Sequence, residues 1–167
     1  MDFTFVRADL SDLSKAFALL EEAAKMLQEK GVNQWQCWLS PSASDIEWVQ
    51  EGFEQGEFYF LEHKEWGTVG MVRIQEEDVL YWGKQEETAL YVHSLIIRSC
   101  FSGKGLGVQV IDRILSMAAK RNILWLRLDC NASNPRLCKY YEDQNFNQVG
   151  TKHFEDFSCN LYQRKVF

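Results

Sequence analysis

Six residues, Ser102-Gly103-Lys104-Gly105-Leu106-Gly107, lie between a strand-like run and a helix-like run. Glycine lets a backbone turn tightly and lets a ligand approach the amides with no Cβ in the way. The helix that follows adds unpaired N–H groups and the positive end of its dipole, so the segment suits a phosphate or pyrophosphate. A P-loop would need Gly-Lys-Ser/Thr after its four-residue gap, which Leu106-Gly107 does not supply. A dinucleotide site would place Gly-x-Gly-x-x-Gly after the first strand, with an acidic residue ending the second. Here the loop follows the fourth or fifth strand and the glycines alternate. A flexible connector is the bland alternative.

His93 lies on the strand that enters this loop. Side chains alternate along a strand, so Tyr91, His93, Leu95 and Ile97 are expected to share a face. A histidine suits general acid–base work, directly or through water, because it titrates near neutrality. A hydrogen-bonded structural histidine is the competing account. Trp35 and Trp38 are either packing or exposed indole faces able to meet an apolar or cationic group. Glu76, Glu77 and Asp78 form an acidic loop, either solvated or attracting a cation at a cleft mouth. The five cysteines are scattered, with no pair at the two-residue gap of a zinc or redox site.

The elements that must position these residues follow from periodicity. Phe3, Phe5 and Val6 read as a first strand. Ser11 is expected to cap a helix carrying Leu13, Phe17, Leu20, Ala24 and Leu27 and ended by Gly31. Asn33–Ser40 fits neither period. Pro41 and Ser44 open a second helix, running to about Gln55, with an Ile46, Val49 and Phe53 stripe. Phe58–Glu62 and Thr68–Gln75 are β-rich, and Val79–Trp82 is a short apolar segment. Thr88–Arg98 is the strongest strand, apolar enough for burial on both faces. A helix from about Leu106 to Arg121, a strand Ile123–Asp129, a helix Asn134–Gln144 opened by Pro135, and strands Val149–His153 and Cys159–Lys165 complete the chain. This order is that of an α/β or α+β domain around a mixed sheet.

The chain has 167 residues, 46% hydrophobic and 14% aromatic, enough for one well-filled domain. Its net charge of −6 argues against a nucleic-acid partner and weakly favours a cationic substrate. The first ten residues lack a signal-like apolar run, and nothing later approaches the ~20 apolar residues of a spanning helix. The expectation is a cytoplasmic protein with reduced thiols and no membrane partner.

Three segments resemble the GNAT superfamily, the general-control-type N-acetyltransferases. Leu90–Gly107 resembles its central motif, a strand leading into Arg/Gln-x-x-Gly-x-Gly/Ala. Leu126-Arg-Leu-Asp-Cys-Asn131 with Asn134-Pro-Arg-Leu-Cys-Lys-Tyr-Tyr-Glu-Asp-Gln-Asn-Phe146 resembles its Asn-x-x-Ala-x-x-x-Tyr-Glu-x-x-Gly-Phe block. The opening Val6-Arg-Ala-Asp-Leu-Ser-Asp-Leu13 resembles GNAT starts. The likeness is densest from 89 to 150. Ser102 stands where Arg or Gln is usual, and Asn145 replaces the glycine before Phe146. Asn is the non-glycine residue best suited to a left-handed helix end.

The resemblance implies a GNAT-like mixed central sheet flanked by helices, a single domain over 1–167, and an acetyltransferase using acetyl-CoA without a metal. It implies that Ser102, Gly103, Lys104, Gly105, Leu106, Gly107 and Val108 hold the pyrophosphate. In this fold the loop strand splays from the next parallel strand, so the backbone of Leu95, Ile96 and Ile97 would pair with the pantetheine amides. Tyr141 stands where a tyrosine often lies near the thiol sulfur, as general acid, unless it is core. Asn134 contacts pantetheine, caps the helix, or does both. His93 stands where arylalkylamine-type members carry an active-site histidine, while Ala89 occupies the region of the histone-type glutamate. Trp35, Trp38, Tyr91 and Asp129 would face the acceptor, an amine of a small molecule or peptide. The protein would be a monomer or homodimer. A non-catalytic acyl-CoA-binding module of the same fold is the alternative.

Overall fold

The computed structural model describes residues 2–167. Its strands are β1 (Phe3–Arg7), β2 (Phe58–His63), β3 (Gly67–Gln75), β4 (Ala89–Ile97), β5 (Trp125–Asn131), β6 (Asn147–His153) and β7 (Ser158–Lys165). Its helices are α1 (Leu13–Glu29), α2 (Ala43–Glu54), α3 (Val79–Trp82), α4 (Leu106–Lys120) and α5 (Pro135–Glu142). The strands hydrogen-bond in the order β1-β2-β3-β4-β5-β7-β6. β4 and β5 run parallel, and β1–β2, β2–β3, β5–β7 and β6–β7 run antiparallel, so the sheet is mixed as expected. Among the described residues, no helix is long and apolar enough to cross a membrane.

Two compact units divide the chain. The first takes Met1–Ile74 and Ser94–Gly107; the second takes Gln75–His93 and Val108–Phe167.

In the first unit, Leu20, Ala24, Val49 and Phe53 of the expected stripes on α1 and α2 are buried, Leu13 and Phe17 are partly buried, and Ala16 and Leu19 join the buried face. Ala16, Leu19, Leu20, Val49 and Phe53 share a cluster with Phe58, Phe60, Met71 and Ile96, each large side chain contributing about 1.5–3 kcal/mol by leaving water. The cap of the first helical segment is Asp9 and not Ser11. A short 3₁₀ turn at Leu10–Asp12 precedes α1, so the capping box closes two residues earlier, with Asp9 accepting from the Ser11 N–H at 2.8 Å and Asp12 from the Asp9 N–H at 3.2 Å. Ser42, paired with Asp45, caps α2 in the same manner. Arg73 is buried, paired with Glu57 at 2.7 Å and stacked 4.0 Å from the Trp48 ring.

In the second unit, β5 pairs with β7 from Trp125↔Lys165 to Asn131↔Cys159, and β6 pairs antiparallel with β7. The α4 side chains Val110, Ile111, Ile114 and Ala118 are fully buried, as their spacing requires. Asn145 ends the α5 segment at φ +63°, the left-handed conformation that its type suits. The expected strand from Ile123 begins at Trp125, because Ile123 still donates to the Ala118 carbonyl at the helix end. Cys130, Cys138 and Cys159 are buried here, while Cys37 and Cys100, of the first unit, are exposed.

Candidate active site

In the first unit, the strand reaches the glycine loop through a kink. Ser94 has φ +48°, outside strand geometry, so the simple alternation expected to put Leu95 and Ile97 on the face of Tyr91 and His93 is interrupted there. The register with β5 runs only from Ala89↔Trp125 to Val92↔Leu128. Beyond the kink, Ile96 packs into the core cluster, and the Arg98 N–H donates to the Val69 carbonyl at 3.0 Å. The Ile96 carbonyl lies 2.2 Å from where a Cβ on Gly70 would stand, so only glycine admits that approach.

The loop itself opens with a 3₁₀ turn, Ser99–Phe101, whose last bond takes the Ser102 N–H (3.1 Å to the Ser99 carbonyl). Ser102 therefore offers its hydroxyl and not its amide. Gly103 and Gly105 sit at φ +76° and +72°, and a Cβ at either would meet nothing within 4 Å. The glycines thus border open space, directly before the first turn of α4 at Leu106, where helix N–H groups have no partner within the helix. Gly107 and Val108 follow in that turn. Lys104 places its ammonium 5.5 Å from the Phe101 ring centroid. These features fit a bound pyrophosphate. Trp35 and Trp38 are partly buried against the core cluster, with Trp35 at φ +62°.

In the second unit, Tyr91 and His93 face α3. Trp82 meets the Tyr91 ring edge-on, and Tyr81 lies 5.5 Å from the His93 ring. The Tyr91 hydroxyl accepts from Arg127 Nη1 at 2.9 Å. His93 Nε2 is 2.9 Å from Asp78 Oδ2, and His93 Nδ1 is 3.5 Å from Asp129 Oδ1. Asp78 also caps α3, accepting from the Tyr81 N–H at 3.2 Å. Burial pushes the Asp129 carboxyl above its ordinary range, the His93 charge pulls it down, and the Asp78 charge raises it further. Asp78, His93 and Asp129 bring ligand-type atoms within 4.8 Å of one another. The imidazole, however, turns a different nitrogen to each carboxylate, hydrogen-bonded to Asp78 and facing Asp129 at 3.5 Å, which is an arrangement in line and not a chelate around one ion.

Tyr141 is buried, and that burial raises its phenol far above the usual range, so it stays protonated at neutral pH. Asn134 caps α5, its side chain accepting from the Leu137 N–H at 3.2 Å. Of the acidic loop read as either solvated or a cation attractor, Asp78 is buried and bound to His93. The signal that would have found it is Asp78 standing three residues before Tyr81, a helix-start pattern on a segment that reads only as apolar.

The sequence profile of the acetyltransferase (GNAT) family matches residues 33–146. The chain belongs to that family. It is a GNAT-type N-acetyltransferase, and the family uses acetyl-CoA. The uncharacterized N-acetyltransferase YesJ of Bacillus subtilis (strain 168) is 29% identical over 159 residues, covering 93% of this chain and 86% of that protein. A crystal structure of a GNAT-family acetyltransferase from Listeria monocytogenes 4b F2365 is 26% identical, with TM-score 0.79 over 98% of this chain and 94% of that one. A spermidine N-acetyltransferase SpeG chimera from Vibrio cholerae and hSSAT, 16% identical, shares the fold at TM-score 0.70 over 99% of this chain and 96% of that one. The GNAT resemblance read from the two motifs is thereby met, and with it the mixed-sheet fold.

Proposed function

We propose that the protein moves an acetyl group from acetyl-CoA to a primary amine of a small molecule or peptide, by direct attack with both substrates bound. The observation that carries this reading is the pair of left-handed glycines, Gly103 and Gly105, bordering open space at the start of α4. Acetyl-CoA supplies the activated acetyl thioester. The amides from Gly103 to Val108 and the Ser102 hydroxyl hold its pyrophosphate. Backbone groups of Leu95, Ile96 and Ile97 receive the pantetheine amides, and Asn134 serves that arm besides capping α5. Tyr141, kept protonated by burial, donates a proton to the departing thiolate. His93 takes the proton that the amine releases. Trp35 and Trp38 border the acceptor.

Thermal melts with CoA, ATP and NAD test the cofactor, and a mass-spectrometric screen of an amine panel tests the transfer. CoA is expected to raise the melting temperature, and His93→Ala and Tyr141→Phe to lower turnover by about a hundredfold or more. Stabilisation by ATP or NAD but not by CoA overturns the reading.

A further inference from the structure

The two nitrogens of His93 meet two different carboxylates, Asp78 at 2.9 Å and Asp129 at 3.5 Å. A carboxylate oxygen accepts and cannot donate, so the Asp78 contact fixes a hydrogen on Nε2. Nδ1 and Asp129 Oδ1 would then oppose lone pairs unless a proton lies between them. Drawn on Nδ1 that proton gives imidazolium beside carboxylate; drawn on Oδ1 it gives imidazole beside carboxylic acid. Both drawings hold the same number of protons. Two carboxylates and a neutral ring, plus one shared proton, leave a single net negative charge.

The surroundings favour that shared proton. Asp129 Oδ1 is buried and, although it faces His93 Nδ1 at 3.5 Å, has no hydrogen-bond partner among the described residues. Isolated in this way, an ionised oxygen would be costly. The groups facing the trio come from each element around it: Asp78 and Tyr81 at α3, and Cys159 on β7, whose thiol hydrogen-bonds Asp129. Cys130 and Tyr141 also feel the Asp129 charge. None of these brings a cation, so a proton is what relieves the two carboxylates.

We propose that Asp78 is the positioning residue of His93, and that His93 and Asp129 share one proton and act together as the base of the acetyl transfer. This rests on the reading of His93 as the base. When the amine N–H bond breaks, its proton is taken up by the Asp129 carboxyl while the shared proton settles on His93 Nδ1, so the pair becomes carboxylic acid and imidazolium together. The hydrogen on Nε2 stays on Asp78 throughout, so the ring neither rotates nor changes tautomer during turnover.

The test uses the full chain labelled with ¹⁵N-histidine, with His93→Gln to assign the ring among the three histidines. In the wild type, His93 is expected to keep its Nε2-bound hydrogen at every pH where the protein is folded. Asp129→Asn is expected to lower the ring's titration midpoint by about one pH unit or more and to move the acid limb of the kcat/KM profile the same way. Asp78→Asn, which still caps α3, is expected to mix the tautomers and cut kcat about tenfold, with the KM for acetyl-CoA unchanged. Asp78→Glu is expected to restore the tautomer and most of kcat. Ring signals unmoved in both asparagine variants overturn the proposal. If the ring behaves as expected while no amine is acetylated, the shared proton stands and the reading of the reaction falls.

Discussion

Arg127 Nη1 donates to the Tyr91 hydroxyl at 2.9 Å, and each residue is only 3% exposed. The guanidinium also donates to Gln163 Oε1 at 3.2 Å and lies 5.0 Å from the Trp82 ring. Tyr91 was expected to face the acceptor, but its hydroxyl is committed to a buried cation. Tyr91→Phe leaves one guanidinium donor unsatisfied and is expected to cost about 1–3 kcal/mol in urea unfolding, with the acceptor KM unchanged. A raised KM at unaltered stability would return Tyr91 to the acceptor side.

The close approach of Gly70 to the Ile96 carbonyl sets a second expectation. A methyl group there lies 2.2 Å from backbone oxygen, which no side-chain rotation relieves. Gly70→Ala is expected to destabilise by roughly 3 kcal/mol and to reduce the thermal stabilisation by CoA, since Leu95–Ile97 must shift. A melting curve with and without CoA reads both effects at once.

Gly105 and Gly31 share nearly the same backbone, φ +72° and +71°, and open space at Cβ. Alanine at either should cost about 1 kcal/mol from the left-handed conformation. Only Gly105→Ala should weaken CoA binding, because only there does the added methyl group occupy ligand space. Isothermal titration of both variants separates loop chemistry from backbone strain. Equal CoA affinities would count against the loop.

Asp129 gives a pH dependence of known sign. Its folded carboxyl is raised above the ordinary 3.8 mainly by burial, so over the range between those values the native state binds more protons than the unfolded chain. Stability from this group is therefore present at low pH and lost as pH rises above about 4. Asp129→Asn removes that loss. Relative to wild type, the variant is expected to gain stability between pH 4 and 7 in urea titrations. A constant difference would contradict the raised carboxyl.

Much of this was legible in the residues. Apolar periodicity placed four of the five helices and the seven strands to within a few positions, since side-chain spacing and burial share one geometry, while α3 read only as an apolar segment. Asn145 was readable as a left-handed helix end from its type. Asp78 offered a local cap signal three residues before Tyr81, but its bond to His93 was not readable, because that partner lies fifteen residues away. The kink at Ser94 was equally silent: serine has no special claim on φ +48°, and the surrounding run reads as an uninterrupted strand. Both misses fall where tertiary contacts override local preference, at the residues with the most chemistry.

The distribution of thiols makes the chain its own stopwatch. Cys37 and Cys100 are open to a chromogenic disulfide reagent, whereas Cys130, Cys138 and Cys159 are sealed and all lie in the second unit. Two thiols should react at once and three only as fast as that unit breathes. The slow phase thus clocks the opening of the His93-bearing half of the molecule, with no label added.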